Sequence, residues 1–226
     1  MPVTKLSAPQ SEAELMQRAN LLAGRALGDI AAQLQIAAPE NLRRHKGWVG
    51  QLLELALGAD ADSLPEPDFR SIGVELKTLP IGRDGKPRES TYVCTVPLDG
   101  RLEPEWGESW LCRKLSRVLW LPVEAEPDLP LSLRRVGCPL LWSPNDDEAE
   151  ALRLDWEELG EMIRIGELES ITARMGTVLQ IRPKAANSRV TCESVGADGE
   201  VITTHPRGFY LRPTFTHSIL QRYTLS

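Results

Sequence analysis

Two carboxylates and one amine are spaced along a short segment in a way that suits cleavage of a phosphodiester. Asp68 follows Pro67, and after six intervening residues come Glu75 and, two positions later, Lys77. In a β-strand, positions 75 and 77 point to one face, and Asp68 in the preceding loop can fold back toward it. Converging carboxylates repel each other unless a cation lies between them, and oxygen ligands with open positions suit Mg²⁺. A lysine beside such an ion can orient or deprotonate the attacking water and offset charge on a pentavalent phosphate.

A fourth polar residue, Glu54, favours this catalytic interpretation over a chance pattern. A carboxylate six residues before Glu-x-Lys also arises by chance, and Glu-x-Lys pairs are common on solvated strand faces. Glu54, however, is the only charge in the segment 49–57, which is apolar on nearly all sides of a helix. An isolated carboxylate there is costly without a partner or a cation, and Gln51 shares its helical face. The alternative is a surface glutamate on a half-exposed helix.

Helices and a strand must position these residues. Cap residues and helical spacing predict three helices, over 12–23, 27–34 and 46–57, the last ended by Gly58. Alternating polar and apolar residues predict strands over 72–79 and 91–96, which a turn over 82–87 would join as an antiparallel hairpin.

The rest of the chain mixes both kinds of element. The predicted elements are a helix over 105–117, a buried strand over 117–123, an acidic helix over 146–166, strands at about 177–182, 189–194 and 200–204, the segment 208–212 and a last short helix. This mixed order predicts an α/β or α+β core with a mixed sheet. A length of 226 residues suits one compact domain, or one domain split into two lobes.

The net charge of −6 counts, by itself, against a nucleic-acid partner. The charges are, however, unevenly distributed. Residues 143–170 carry ten acids against two arginines, whereas residues 171–226 carry seven Lys or Arg against three acids. A basic C-terminal third can bind DNA locally, and we expect weak non-specific affinity that depends strongly on salt.

The composition excludes other classes of protein. The apolar run 118–123 is far too short to span a membrane, and the N-terminal residues lack the apolar region of a signal peptide, so we expect a cytoplasmic protein with no membrane partner. The four cysteines, at 94, 112, 138 and 192, form no Cys-x-x-Cys pair. We expect buried, reduced thiols rather than a zinc site.

Two places in the chain are candidates for DNA contact. Arg182, Pro183 and Lys184 end a predicted strand and present two cations from a loop, and an arginine suits guanine O6 and N7. Pro183 and Tyr210 offer apolar surface that can sense an adenine edge or its methyl group, a role that only the family resemblance described next assigns to them. Lys46 and Gly47, at a helix start, can hold a phosphate. The alternatives are a solvated basic loop and a core tyrosine.

These residues lie within segments that closely resemble the MutH-type DNA mismatch repair endonuclease family, a group of PD-(D/E)xK nucleases. The resemblance covers nearly the whole chain, in order, and is carried by residues 46–50, 53–54, 65–78, 118–124, 139–145, 171–174, 179–187 and 206–211. It implies a fold like that of type II restriction endonucleases, with a mixed β-sheet flanked by helices and two lobes around a DNA cleft. It also implies Mg²⁺-dependent nicking of the unmethylated strand at hemimethylated GATC sites, activated by a MutL-type partner.

The resemblance assigns roles to individual residues. It places the catalytic positions on Asp68, Glu75 and Lys77 and the helix carboxylate on Glu54, so that Asp68, Glu75 and Glu54 would hold metal. It places base reading on Arg182, Pro183, Lys184 and Tyr210, aligns Tyr92 with an aromatic residue used against bases, and makes Lys114 a candidate phosphate contact. All four catalytic residue types are intact, which indicates an active enzyme.

We therefore expect a single endonuclease domain over 1–226, with a catalytic lobe centred on about 20–100 and a DNA-reading lobe rich in residues from about 171–226. It would act as a monomer on double-stranded DNA with one or two Mg²⁺, for which Mn²⁺ can substitute. Two other functions stay open, namely a restriction endonuclease that cuts both strands at GATC and a non-catalytic DNA-binding repair adaptor. The acidic helix over 146–166 is a candidate docking surface for the activating partner.

Overall fold

The computed structural model describes residues 6–42, 45, 47–61, 66–184 and 189–224, and the chain divides into two compact units. The first unit contains Met1–Arg88, Arg117–Ser143 and Tyr223–Ser226, and the second contains Glu89–Ser116 and Pro144–Arg222. The sequence predicts a catalytic lobe centred on about 20–100, but the part of that range from residue 89 onward belongs to the second unit. The arrangement of two lobes around a DNA cleft stays a prediction.

The described helices and strands follow one another in a mixed order. The helices are α1 (Glu12–Leu22), α2 (Leu27–Gln33), α3 (Trp48–Leu57), α4 (Trp110–Leu115), α5 (Asp146–Arg164) and α6 (Pro213–Thr224). The strands are β1 (Glu75–Ile81), β2 (Thr91–Thr95), β3 (Val118–Glu124), β4 (Leu140–Trp142), β5 (Leu179–Pro183), β6 (Cys192–Val195), β7 (Val201–Thr204) and β8 (Arg207–Leu211). The predicted α+β fold class is confirmed.

Local cap chemistry explains why several helix boundaries could be predicted. The Ser11 hydroxyl accepts a hydrogen bond from the backbone N–H of Glu14 at 3.2 Å, which satisfies one of the free N–H groups that begin α1. Asn145 and Glu148 form a reciprocal capping box at the start of α5. At the end of α3, Gly58 adopts a left-handed conformation with φ of 84°, which costs a glycine no steric strain.

In the first unit, β1, β3 and β4 form a mixed three-stranded sheet. β1 pairs with β3 in parallel, whereas β3 and β4 are antiparallel. Leu76 on β1 and Leu119 and Leu121 on β3 are buried in one core with Leu53 of α3. The sequence did not predict β4, since three residues are too few to show an alternating pattern.

The predicted hairpin between the segments 72–79 and 91–96 is wrong. The turn itself forms, because the N–H of Arg88 donates to the carbonyl of Pro80 at 2.8 Å. The return pairing is limited to one isolated bridge between Ile81 and Pro87, and proline has no N–H with which to continue a ladder. β1 pairs with β3 instead, and β2 belongs to the second unit.

In the second unit, β8 is the central strand of an antiparallel sheet in the order β2-β8-β5. β6 and β7 form a separate two-stranded sheet. One face of the three-stranded sheet is apolar, with Leu179, Ile181, Phe209 and Leu211 buried. α5 packs beside β5, so the acidic helix over 146–166 is confirmed as a helix with one buried side.

The sequence predicts that no segment spans a membrane and that the four cysteines are buried, reduced thiols. Among the described residues, none of the helices has both the length and the apolar character that a bilayer crossing needs. All four cysteines are described and are free thiols, although only Cys94 is fully buried and Cys138 is exposed.

The buried Asp155 of α5 provides a test of how the second unit is held together. Its carboxylate is 5% exposed and accepts hydrogen bonds at 2.6–2.8 Å from the N–H groups of Thr177, Val178 and Leu179. Asp155→Ala would leave these donors without an acceptor, so we expect the free energy of unfolding to fall by about 3 kcal/mol. Urea denaturation measures this change. Glu158→Ala, at an exposed position of the same helix, is the control, and an equal loss in both variants would contradict the assignment.

Candidate active site and nucleic-acid interface

A short loop fixes the carboxylate of Asp68 against the start of β1. The Asp68 side-chain Oδ2 accepts a hydrogen bond from the N–H of Leu76 at 2.8 Å. Its backbone carbonyl accepts hydrogen bonds from the N–H groups of Asp60 and Ala61, at 3.0 and 3.3 Å. Both the backbone and the side chain of Asp68 are therefore held in place.

The six residues between Asp68 and Glu75 form a closed turn. Phe69 is fully buried and pairs with Val74 in an antiparallel bridge. Between them, one 3₁₀ turn over Arg70–Ile72 ends at Gly73, whose φ of 65° is readily adopted only by glycine. This turn accounts for the spacing of the motif, since it returns the chain to the point from which Asp68 can reach β1.

Glu75 and Lys77 form a buried ion pair at the start of β1. Lys77 Nζ lies 2.5 Å from Glu75 Oε1, with the two side chains 13% and 2% exposed respectively. The contact confirms that alternation along the strand puts both residues on one face. A carboxylate this deeply buried needs a compensating cation, and Lys77 supplies one. On the neighbouring β3, Trp120 lies opposite Lys77 and is fully buried.

Glu54 lies in the middle of α3 and is half-buried. α3 contacts β1, and Leu53 shares a core with Leu76, so the helix carrying Glu54 packs against the strand carrying Glu75. The helix is less enclosed than its sequence predicts, because Leu55 is 37% exposed and Gln51 is also exposed. Whether Glu54 acts in a metal site stays a prediction.

The donor chemistry of these residues fits a hard divalent cation. Asp68, Glu75 and Glu54 offer only carboxylate oxygens, which Mg²⁺ prefers over nitrogen or sulfur ligands. Within the residues that the structure describes, no three Asp, Glu, His or Cys side chains are grouped to enclose an ion. The arrangement at β1 is thus a pair of acidic residues beside one lysine.

A second group of predicted residues meets on the sheet β2-β8-β5 of the second unit. The strand register puts Tyr92, Tyr210 and Gln180 in one row and Thr95, Gly208 and Arg182 in the next. We call these six residues the reading face. It lies opposite the apolar face that Phe209 and Leu211 bury.

Aromatic and cationic side chains are interleaved on the reading face. The rings of Tyr92 and Tyr210 meet edge to face with their centroids 5.4 Å apart. Lys184 Nζ lies 3.7 Å from the Tyr92 centroid, and Arg182 Cζ lies 5.9 Å from the Tyr210 centroid. Burial, followed by the neighbouring phenol of Tyr92, raises the pKa of Tyr210, so its phenol stays protonated at neutral pH. Such a surface suits a polyanion that also carries flat bases.

Gly208 makes room for the two tyrosine rings. A Cβ atom at this position would lie 2.9 Å from Cε2 of Tyr92 and 3.1 Å from Cε2 of Tyr210. Any side chain would therefore displace both rings. The residue lies in a segment that resembles the family, yet nothing in its local pattern indicated this spatial role.

The other predicted DNA contacts lie in different places. Pro183 is exposed at the end of β5, opposite Arg207 and one row beyond Arg182, and the N–H of Lys184 adds one further bond to the carbonyl of Pro206. Lys114 on α4 lies with its Nζ 5.1 Å from the ring centroid of Trp110.

The predicted phosphate site at the start of α3 is only partly described. Gly47 is the N-cap residue of α3 and is exposed. Lys46 lies outside the described residues.

Comparison with known proteins identifies the family. The family model for the DNA mismatch repair enzyme MutH matches residues 57–155, which include Asp68, Glu75 and Lys77. The DNA mismatch repair protein MutH of Photorhabdus laumondii is 55% identical over 219 residues, which cover 97% of this chain and 96% of the relative. The protein of the same name from Klebsiella pneumoniae is also 55% identical over 219 residues, covering 97% and 95%.

The relative from Escherichia coli K12, also a DNA mismatch repair protein MutH, is 53% identical over 224 residues, covering 99% of this chain and 98% of its own length. Identity of this degree extends over both units rather than over the acidic motif alone. This chain therefore belongs to the MutH family of DNA mismatch repair endonucleases and is a hydrolase.

Proposed function

We propose that this chain nicks the unmethylated strand at hemimethylated GATC sites, with Mg²⁺ and on activation by a MutL-type protein. The arrangement of Asp68, Glu75 and Lys77 at the start of β1 is the observation that carries the proposal. The reading face supports the proposal, because its aromatic rings and cations suit contact with the bases and phosphates of DNA. The enzyme acts as a monomer in the cytoplasm, where its DNA substrate lies.

Asp68 and Glu75 would hold Mg²⁺, or Mn²⁺ in its place, with Glu54 helping to hold one or two ions or their water shell. The bound ion supplies a Lewis acid and ordered water. Asp68 can serve this role without rearrangement of the backbone, because the N–H of Leu76 already orients its carboxylate.

Lys77 is the residue that handles the proton. Its Nζ, which pairs with Glu75 in the structure, would orient the attacking water and, once a bound cation compensates the charge of Glu75, would accept a proton from that water. Water attacks the phosphorus in line with the 3′ oxygen, so the P–O3′ bond breaks. The departing 3′ oxygen takes a proton from solvent, which leaves a 3′-hydroxyl and a 5′-phosphate. The Lys77 cation then offsets charge on the phosphate.

Base reading falls to the reading face and the residues that follow it. Arg182 takes guanine O6 and N7 in the major groove, and Lys184 adds a second cation from the same strand end. Tyr92, Tyr210 and Pro183 provide apolar surface against bases and against the adenine methyl group. Lys46, Gly47 and Lys114 contact phosphates.

Two observations bear on the alternatives. Family membership identifies a nuclease, which removes the non-catalytic adaptor from consideration. On the acidic helix, Glu157 pairs with Arg153 at 2.6 Å while Glu158 is exposed, so charge reversal of both residues tests whether α5 docks the activating partner. Unchanged stimulation by a MutL-type protein would remove that role.

A plasmid assay tests the proposed reaction directly. Unmethylated, hemimethylated and fully methylated GATC plasmids are incubated with the enzyme, with and without Mg²⁺ and a MutL-type protein. We expect open circles from hemimethylated plasmid, strand-specific at the unmethylated strand, and much slower cutting of the fully methylated one. Linear product from unmethylated plasmid at low enzyme concentration would instead show a restriction endonuclease that cuts both strands.

Substitution tests the roles of the proton-handling and metal-holding residues. We expect Lys77→Ala and Asp68→Ala to slow nicking by about a thousandfold, because each removes a group that acts on the reacting water or phosphate. Lys86→Ala, in an exposed turn of the same unit, should nick at the parental rate. Parental activity in either site variant would contradict the assignment, provided that circular dichroism shows a folded protein.

Methyl sensing can be tested at Tyr210. The Tyr210 ring would crowd a methyl group on the cut strand, and Tyr210→Ala removes that crowding, so the preference for unmethylated over methylated strands should fall about fivefold, the effect of relieving about 1 kcal/mol of overpacking. Tyr210→Phe keeps the ring and should retain the preference. Nicking rates on hemimethylated and fully methylated duplexes measure the ratio, and an unchanged ratio in Tyr210→Ala would assign methyl sensing elsewhere.

A further inference from the structure

A serine hydroxyl links two members of the reading face, the buried Gln180 and the exposed Arg182. Gln180 Nε2 donates a hydrogen bond to Ser90 Oγ at 2.7 Å, and Arg182 Nη1 donates to the same oxygen at 3.2 Å. Ser90 precedes β2, whereas Gln180 and Arg182 are two residues apart on β5, so the contacts join the two outer strands of the sheet.

The burial of these residues indicates how the arrangement works. Gln180 is 4% exposed, so its amide is fixed by packing and pays little further entropy for the bond it makes. Arg182 is exposed and has a long side chain with many rotamers. A hydroxyl oxygen has two acceptor lone pairs, and here one takes Gln180 and the other takes Arg182. The fixed amide of Gln180 thus restrains the Ser90 hydroxyl, and the hydroxyl in turn restrains the exposed guanidinium of Arg182.

We propose that Ser90 and Gln180 are positioning residues that set the orientation of Arg182 for reading guanine. The proposal rests on the proposed role of Arg182 as a base-reading residue. Bidentate recognition of O6 and N7 requires the guanidinium plane to be aligned with the base edge. Three constraints fix the plane here, namely the hydrogen bond to Ser90, the Tyr210 ring 5.9 Å from Cζ, and the start of the side chain on a paired strand.

The test measures sequence discrimination instead of activity. Fluorescence anisotropy measures binding to two duplexes, one that contains GATC and one in which the G·C base pairs of GATC are replaced. Divalent cations are left out so that no strand is cut. We expect Ser90→Ala and Gln180→Leu each to reduce the ratio of the two affinities by about tenfold. The dependence of affinity on salt should stay parental, since no phosphate contact is lost.

Three further variants make the result specific. Ser90→Thr keeps a hydroxyl and should restore discrimination. Ser218→Ala removes an exposed hydroxyl elsewhere in the second unit, where it donates only to the carbonyl of Phe215 within its own helix, and should leave discrimination unchanged. In the double variant Ser90→Ala with Arg182→Ala, the loss should equal that of Arg182→Ala alone, because the hydroxyl acts through the arginine.

The outcomes separate this inference from the proposed function. If Arg182→Ala itself keeps full discrimination, Arg182 does not read the base and the proposed function fails at that residue. If Arg182→Ala loses discrimination while Ser90→Ala keeps it, or if the two losses add in the double variant, the positioning role is overturned. Thermal melts of each variant show that the compared proteins are folded.

Discussion

The hydrogen bond from the N–H of Leu76 to the carboxylate of Asp68 joins the loop, the strand and the chemistry of the first unit. It exists because β1 is fixed by parallel pairing with β3, so that the backbone at residue 76 offers its donor at a defined place. The same pairing orients Glu75 and Lys77 to one face while Leu76 enters the core. Loss of this strand would therefore scatter all three charged residues at once, although none of them contributes to the apolar core.

The second unit brings cations and aromatic rings into contact on one face of a sheet. Three consecutive residues of β8 make this possible. Gly208 leaves space for the two tyrosine rings, Phe209 is buried on the opposite face, and Tyr210 lies on the reading face. At the other end of β5, the Asp155 carboxylate accepts hydrogen bonds from the backbone N–H groups of Val178 and Leu179. The basic C-terminal third thus contributes a local cationic surface within a chain of net charge −6.

Predictions from sequence succeeded where the cause is local. Ser11 and Asn145 cap their helices by contacts to residues three positions away, and the Glu75–Lys77 contact follows from strand alternation alone. The hairpin failed because strand partners are chosen by the whole core. A turn after β1 is visible in the sequence, but the competing partner β3 lies more than thirty residues further on. The partial exposure of α3 likewise depends on which of its sides the core covers.

The sequence by itself determined the residue types that can do the chemistry, the six-residue spacing of Asp68 from Glu75, and the family to which the chain belongs. These follow from periodicity, cap chemistry and near-complete similarity, all of which are properties of the linear chain. Only the tertiary structure decided that Ser90 reaches Gln180 and Arg182, and that Gly208 clears space for Tyr92. Those contacts join residues about ninety or more positions apart, and hydrogen bonds and van der Waals forces act only over a few ångströms, so no local pattern can encode them.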